Sequence, residues 1–173
     1  MENLGSPTTF LGLNIIRKAN TISINQTGYI HRMLKRFNMQ NAVPAKTPLP
    51  HSLPLLKATP LDRRCNQLEY TEITGSLNHL AVYSRPDIAF AVSTLSQFNS
   101  DPTTTHLQAA RHVLRYLLNT ANYSITYGGS DLTIHGYADA NWEGDRNDRK
   151  STTSYSSSQT MEQYPGHPTS KLQ

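Results

Sequence analysis

Apolar positions along the chain change period several times, and each change marks an element. Phe10 to Arg17 reads as a strand, with Ile15 and Ile16 as its β-branched members. Thr21 to Asn25 alternates with Ile22 and Ile24 on one face, so Lys18, Ala19 and Asn20 make a hairpin turn. From Thr27 the period lengthens to that of a helix. Ile30, Met33, Leu34 and Phe37 share one stripe, while Arg32, Lys35 and Arg36 fall largely on the other side, with His31 nearby. Pro44, Pro48, Pro50, Pro54 and Pro60 then rule out a regular helix or central strand between Val43 and Pro60. That segment is a linker, either extended or laid across a surface.

Helical spacing returns three times. Tyr70 to Tyr83 carries Ile73, Leu77, Leu80 and Ala81 on one stripe. Pro86 to Phe98 carries Ile88, Val92 and Leu95, with Ser84 as candidate cap. Thr103 to Asn119 carries Leu107, Ala110, Val113, Leu114, Leu117 and Leu118, with Asp101 expected as its cap and Pro102 at its first position. Strand alternation resumes at Tyr123 to Tyr127 and, past Gly128 and Gly129, at Leu132 to Ala138. From Ser156 onward no apolar period survives, and that end is expected to be disordered.

Composition narrows the picture. Only 36% of the 173 residues are hydrophobic, which suits a partial core with polar tails. The net charge of +4 suits an anionic partner, nucleic acid being the commonest, although an ordinary basic soluble protein fits the charge equally well. Cys65 is the one cysteine, which excludes an internal disulfide and a cysteine-based zinc site. No apolar run is long enough to span a membrane, and Met1 to Pro7 lacks the pattern of a signal peptide. A reducing compartment, cytoplasmic or nuclear, is the expectation. His106 and His112 lie six apart and share no i, i+4 face, and the remaining histidines are scattered, so a histidine metal cluster is not expected.

Four stretches, taken in order, resemble one family. They are Phe10-Leu11-Gly12-Leu13-Asn14-Ile15; Tyr70 with Gly75-Ser76-Leu77 and Ser84-Arg85-Pro86-Asp87-Ile88-Ala89; His106 with Ala109-Ala110-Arg111 and Leu114-Arg115-Tyr116-Leu117; and Gly136-Tyr137-Ala138-Asp139-Ala140-Asn141-Trp142 with Asp148-Arg149-Lys150-Ser151-Thr152. Each is weak alone. In this order and spacing, over roughly residues 4–155, they are similar to the Pol polyprotein of copia-type LTR retrotransposons. The resemblance implies a truncated piece of that polyprotein: the end of the reverse transcriptase, then the start of ribonuclease H.

An α/β (α+β) architecture follows from that resemblance, with a palm-end β-hairpin, a helical thumb and connection region, and an incomplete ribonuclease H-like mixed sheet. The expected boundaries are 1–40 for the palm end and thumb helix, 41–69 for the proline-rich linker and 70–130 for the helical region. The opening ribonuclease H strands would take 131–155 and an aberrant tail 156–173. The tail also reads as frameshifted sequence, from Ser156 to Pro168.

The family's polymerase chemistry uses aspartates in a Tyr-Val-Asp-Asp turn, because two metal ions must clamp the attacking and leaving oxygens. No such turn occurs in these residues. Ribonuclease H holds Mg2+ with about four carboxylates. Asp139 matches the first of them and is the candidate catalytic and metal-binding residue. Glu143, Asp145 and Asp148 follow too closely along the chain to converge on it, so no stably bound cofactor is expected here. The resemblance also implies that Arg32, Lys35 and Arg36 lie near the phosphates of an RNA–DNA or DNA duplex, contacts that fix position without reading sequence.

Three function classes follow. The chain is expected to be an inactive piece of a polymerase polyprotein. The alternatives are a weak, non-sequence-specific nucleic-acid-binding module, or a packing partner of an intact polymerase, for which copurification lost on charging Leu114 and Leu117 would be the sign.

Overall fold

The computed structural model describes residues 8–50 and 55–128 in full, and the backbone alone of Ile134–Asn141 and Thr152–Gln159. The first predicted strand is in fact two, β1 (Thr9–Phe10) and β2 (Leu13–Lys18). Leu11 and Gly12 between them take positive φ of 49° and 82°, folding the chain back so that Phe10 faces Leu13. The turn was invisible to the apolar pattern because its first residue is itself apolar.

Strand β3 (Thr21–Asn25) pairs with β2, Ile24 opposite Ile15 and Thr21 opposite Lys18. Strand β4 (Ile125–Gly128) then adds to the free side of β3, with Ile125 opposite Ile24 and Tyr127 opposite Ile22. The result is an antiparallel sheet in the order β1-β2-β3-β4. Directly opposed residues share a face. Ile15, Ile24 and Ile125 therefore line one side, and the Ser23 and Thr126 hydroxyls meet at 2.7 Å on the other. The strand placed by sequence with the helical region thus closes the N-terminal sheet.

Four α-helices share one core. Helix α1 (Thr27–Arg36) buries Ile30, Met33 and Leu34. Helix α2 (Gln67–Tyr83) starts earlier than predicted, because the Asn66 side chain accepts hydrogen bonds from the Leu68 and Glu69 N–H groups. The predicted Pro86 helix splits into a 3-10 turn, Pro86–Ile88, and α3 (Ala89–Ser96). Ser84 caps nothing at that N-terminus; its hydroxyl donates to Gln26 Oε1. Helix α4 (Thr104–Asn119) is capped by Thr103, with His106 returning the bond to the Thr103 N–H, and not by Asp101. Asp101 instead accepts from Arg64.

Ile30, Leu34, Ile73, Leu77, Leu80, Ile88, Leu95, Leu114 and Leu117 are fully or almost fully buried in this core. Each such side chain contributes roughly 1.5–3 kcal/mol. Leu114 and Leu117 are therefore interior residues, and charging them would disrupt the core rather than report on a docking surface.

The proline-rich segment takes the laid-down form. Ala45 is buried, and Leu49, Leu55 and Cys65 pack on the core. Hydrogen bonds pin it along α4: Ala45 N–H to the Arg115 carbonyl, Arg115 Nε to the Val43 carbonyl, and Thr104 N–H to the Arg63 carbonyl. His112 Nε2 donates to the Thr47 carbonyl and His106 Nε2 to the Leu56 carbonyl.

A separate two-stranded ladder joins β5 (Ile134–Asn141) to β6 (Thr152–Gln159), with Asn141 opposite Thr152 and Ile134 opposite Gln159. Ser156 to Gln159, the first residues of the tail expected to be disordered, form the end of β6. A backbone ladder needs no apolar period, only N–H groups, and no proline interrupts the chain before Pro165. The rest of the expected disordered tail, residues 160–173, lies outside the described residues.

Candidate nucleic-acid interface

Helix α1 contains no acidic residue, and His31, Arg32, Lys35 and Arg36 all lie on its exposed side. Its buried stripe locks the helix to the core, and its first turn is tied down as the Thr27 hydroxyl donates to the Ala121 carbonyl. The three cations picked out by sequence are not equivalent. Arg36 Nη2 lies 2.7 Å from Glu72 Oε1 on α2, which offsets much of its charge, and its guanidinium sits 5.5 Å from the Phe37 ring centroid. Arg32 and Lys35 meet no carboxylate among the described residues, whose four ion pairs take Arg36, Arg64, Arg85 and Arg111. The uncompensated charge of α1 is thus Arg32 and Lys35. The Arg32 guanidinium folds back beside Gly28, at a distance where even a Cβ at that position would make only an ordinary contact.

Between the start of α3 and the end of α4 lies a buried polar node that sequence reasoning used only as a family marker. Arg85 is fully buried. Its Nε and Nη2 donate to the two oxygens of Asp87 at 2.9 and 2.7 Å, and Nη1 and Nη2 donate to the Thr120 carbonyl and hydroxyl at 2.8 and 2.6 Å. Tyr116 donates to Asp87 Oδ2 at 2.9 Å, and the guanidinium lies 5.6 and 5.3 Å from the Tyr116 and Tyr123 ring centroids. Burial first, and then the adjacent Asp87, push the Tyr116 hydroxyl pKa up, so it stays protonated and donating. The node joins the start of α3 to the end of α4. Its sequence signal was the Arg-Pro-Asp triplet, in which a proline turn brings Arg85 and Asp87 side by side.

A second missed feature is a row of rings. Tyr29 of α1, then His79 and Tyr83 of α2, lie 4.9 and 4.8 Å apart by centroid, with planes tilted 38° and 44°. Gln26 Nε2 donates to His79 Nδ1 at 3.3 Å, which leaves the proton on Nε2.

Near the start of α4, Leu56, Thr59, Asp62, Thr103 and His106 line a shallow cavity of about 260 Å³. The Thr59 hydroxyl and N–H both donate to Asp62, and these bonds hold its carboxyl below the ordinary range. Burial lowers the pKa of the His106 imidazole. Every polar group named there already has a protein partner.

Asp139 sits in β5 opposite Ser154. Its side chain, and Glu143, Asp145 and Asp148 altogether, lie outside the described residues. Among the described residues no group of three or more His, Cys, Asp or Glu is placed to hold a metal ion.

No family model matches the chain, and no solved structure matches it significantly. Curated proteins do. It is 40% identical over 162 residues to a retrovirus-related Pol polyprotein from transposon TNT 1-94 of Nicotiana tabacum, covering 90% of this chain and 12% of that protein. It is 42% identical over 147 residues to the Pol polyprotein from transposon RE1 of Arabidopsis thaliana, covering 84% and 10%. A putative transposon Ty5-1 protein of Saccharomyces cerevisiae is 37% identical over 142 residues, covering 81% and 46%. The chain thus spans about a tenth of the length of the Pol polyproteins it matches. Relatedness at this level over most of its length means that the chain belongs to the retrovirus-related Pol polyproteins of transposons.

Proposed function

We propose that this chain is the thumb and connection region of a copia-type reverse transcriptase, followed by the opening strands of its ribonuclease H domain. It performs no chemistry with these residues alone and holds nucleic acid by the phosphate backbone. The observation that carries this reading is the acid-free outer face of α1, where Arg32 and Lys35 stand uncompensated on a helix fixed by Ile30, Met33 and Leu34. Such a face attracts any phosphate backbone and discriminates little between sequences. Polymerisation and hybrid cleavage belong, on this reading, to the whole polyprotein and its Mg2+, with Asp139 one contributor to the latter. The test is a pair of assays on the 173-residue chain. Duplex binding should be measurable at low salt and equal across unrelated sequences. Nucleotide incorporation and RNA–DNA hybrid cleavage with added Mg2+ should both be absent. Cleavage that is lost in Asp139→Asn would overturn the non-catalytic part.

A second reading, packing against the rest of a polymerase, has one observation in its favour. Ile22 and Tyr127, paired across β3 and β4 on the face that carries Ile15, Ile24 and Ile125 and, opposite Ile22, Arg17, are 43% and 50% exposed.

A further inference from the structure

We infer that the ring row Tyr29–His79–Tyr83 is a stacking platform for unpaired nucleobases, with Arg32 placed to meet the phosphate that follows. This rests on the backbone-grip reading and extends it from duplex to single strand.

Geometry supplies the first argument. Helices α1 and α2 run antiparallel along this seam. Tyr29 meets His79 at one end, and seven residues on in α1 and seven back in α2, Arg36 meets Glu72 at the other. Two turns of helix separate the contacts, about 10 Å. The seam therefore carries rings at one end and an ion pair at the other, with Arg32 between them on the α1 side.

The row is also held in place from below. Buried Gln26 donates to His79, and Ser84 donates to Gln26 at 2.7 Å. Yet Tyr83, the end ring, is 51% exposed. A ring row closed off as core would bury that end.

Charge selects the occupant. Helix α1 and the stretch of α2 from Gly75 to Tyr83 contain no carboxylate. Of the acids that follow or precede this stretch in α2 and the adjoining turn, Glu72 is paired with Arg36 and Asp87 with Arg85. An aromatic surface between helix stretches that carry no acid and expose Arg32 fits a polyanion with flat apolar faces. In a duplex those faces are covered by neighbouring pairs, so an unpaired or terminal base is the form that can use the row.

The test compares the affinity of the full chain for fluorescein-labelled oligothymidylate and for a labelled DNA duplex of equal charge, by anisotropy at low salt. Tyr83→Ala should lower the ratio of single-strand to duplex affinity by roughly five- to 150-fold, the range for losing one base–aromatic stack. Tyr83→Phe should restore it. An unchanged ratio in Tyr83→Ala and Tyr29→Ala, with salt-sensitive duplex binding intact, overturns the stacking platform and leaves the backbone grip standing. Absence of binding to either probe overturns both. A Tyr83→Ala variant that keeps its oligothymidylate affinity and changes only self-association marks a protein contact, and that also overturns the inference. Photocrosslinking of bromodeoxyuridine oligonucleotides to the unaltered chain gives a readout free of folding effects. Crosslinks are expected at Tyr29, His79 or Tyr83, and crosslinks confined elsewhere contradict the assignment.

Discussion

Arg85 and Asp87 form a two-pronged ion pair at 2.9 and 2.7 Å in which the guanidinium is wholly buried and the carboxylate mostly so. The remaining guanidinium N–H bonds go to Thr120, so the pair fixes where α4 ends relative to where α3 begins. No buried side-chain polar atom among the described residues is left without a partner. Removing one member of this node leaves an uncompensated buried charge. Asp87→Ala is expected to destabilise the chain by on the order of 3 kcal/mol. Arg85→Lys should also destabilise, since an ammonium cannot reproduce the planar fork. Tyr116→Phe removes one hydrogen bond and should cost about 1–2 kcal/mol. Urea denaturation of the three variants checks the order.

Stability should depend on pH through two histidines of α4. His106 and His112 each donate to a carbonyl of the proline-rich segment, and burial, the first cause in both, depresses their pKa. Asp62 and Asp101 oppose the shift at His106, and Arg115 adds to it at His112, but the net direction is downward in both. A depressed folded-state pKa means that the unfolded chain takes up protons first, as pH falls through the ordinary histidine value of about 6.5. Their stabilisation is complete above that value and is lost below it. The melting temperature should fall from pH 7.5 to pH 5.5, and His106→Gln should flatten that slope relative to the parent. An equal slope in the variant contradicts the assignment. Asp62, whose carboxyl is held low, titrates well below this window.

The β3–β4 edge depends on Gly128. Its φ is +100°, and a Cβ there would strike the Asn20 carbonyl oxygen in the β2–β3 turn. Both strain and collision penalise Gly128→Ala, by about 1–3 kcal/mol. Gly12, at φ +82° with open space around it, would meet strain alone, so Gly12→Ala should cost less. Thermal melts of the two variants test the ranking.

The exposed apolar side of the sheet predicts an assembly effect. Ile22→Thr with Tyr127→Thr should reduce concentration-dependent association in sedimentation velocity while leaving the helical core, and hence most of the unfolding enthalpy, in place. Association unchanged by the double substitution would remove the support for packing through this face.

Periodicity made the helical part of this fold legible. The stripes through Ile30, Met33 and Leu34, through Ile73, Leu77 and Leu80, and through Ala110, Val113, Leu114 and Leu117 are the buried ones. What failed was local or long-range. Asn66 and Thr103 cap α2 and α4 where the second was assigned to Asp101, because several residues before a helix can cap and only backbone geometry chooses among them. The β3–β4 pairing joins residues 103 positions apart, as at Ser23 and Thr126, and no local period encodes it. The site was half legible. Sequence found the basic face of α1 but could not see that Glu72, on another helix, answers Arg36. The rings of Tyr29, His79 and Tyr83 meet only once α1 and α2 are packed.

The backbone grip itself is tested most directly by the salt dependence of duplex binding to the 173-residue chain and to the Arg32→Gln, Lys35→Gln and Arg36→Gln variants. The predicted result is a log affinity that falls linearly with log salt, independent of sequence. Losing Arg32 or Lys35 should each reduce the slope by about one, and losing the Glu72-paired Arg36 should reduce it less. Affinity insensitive to salt, or a slope unchanged in both the Arg32 and Lys35 variants, would contradict the account.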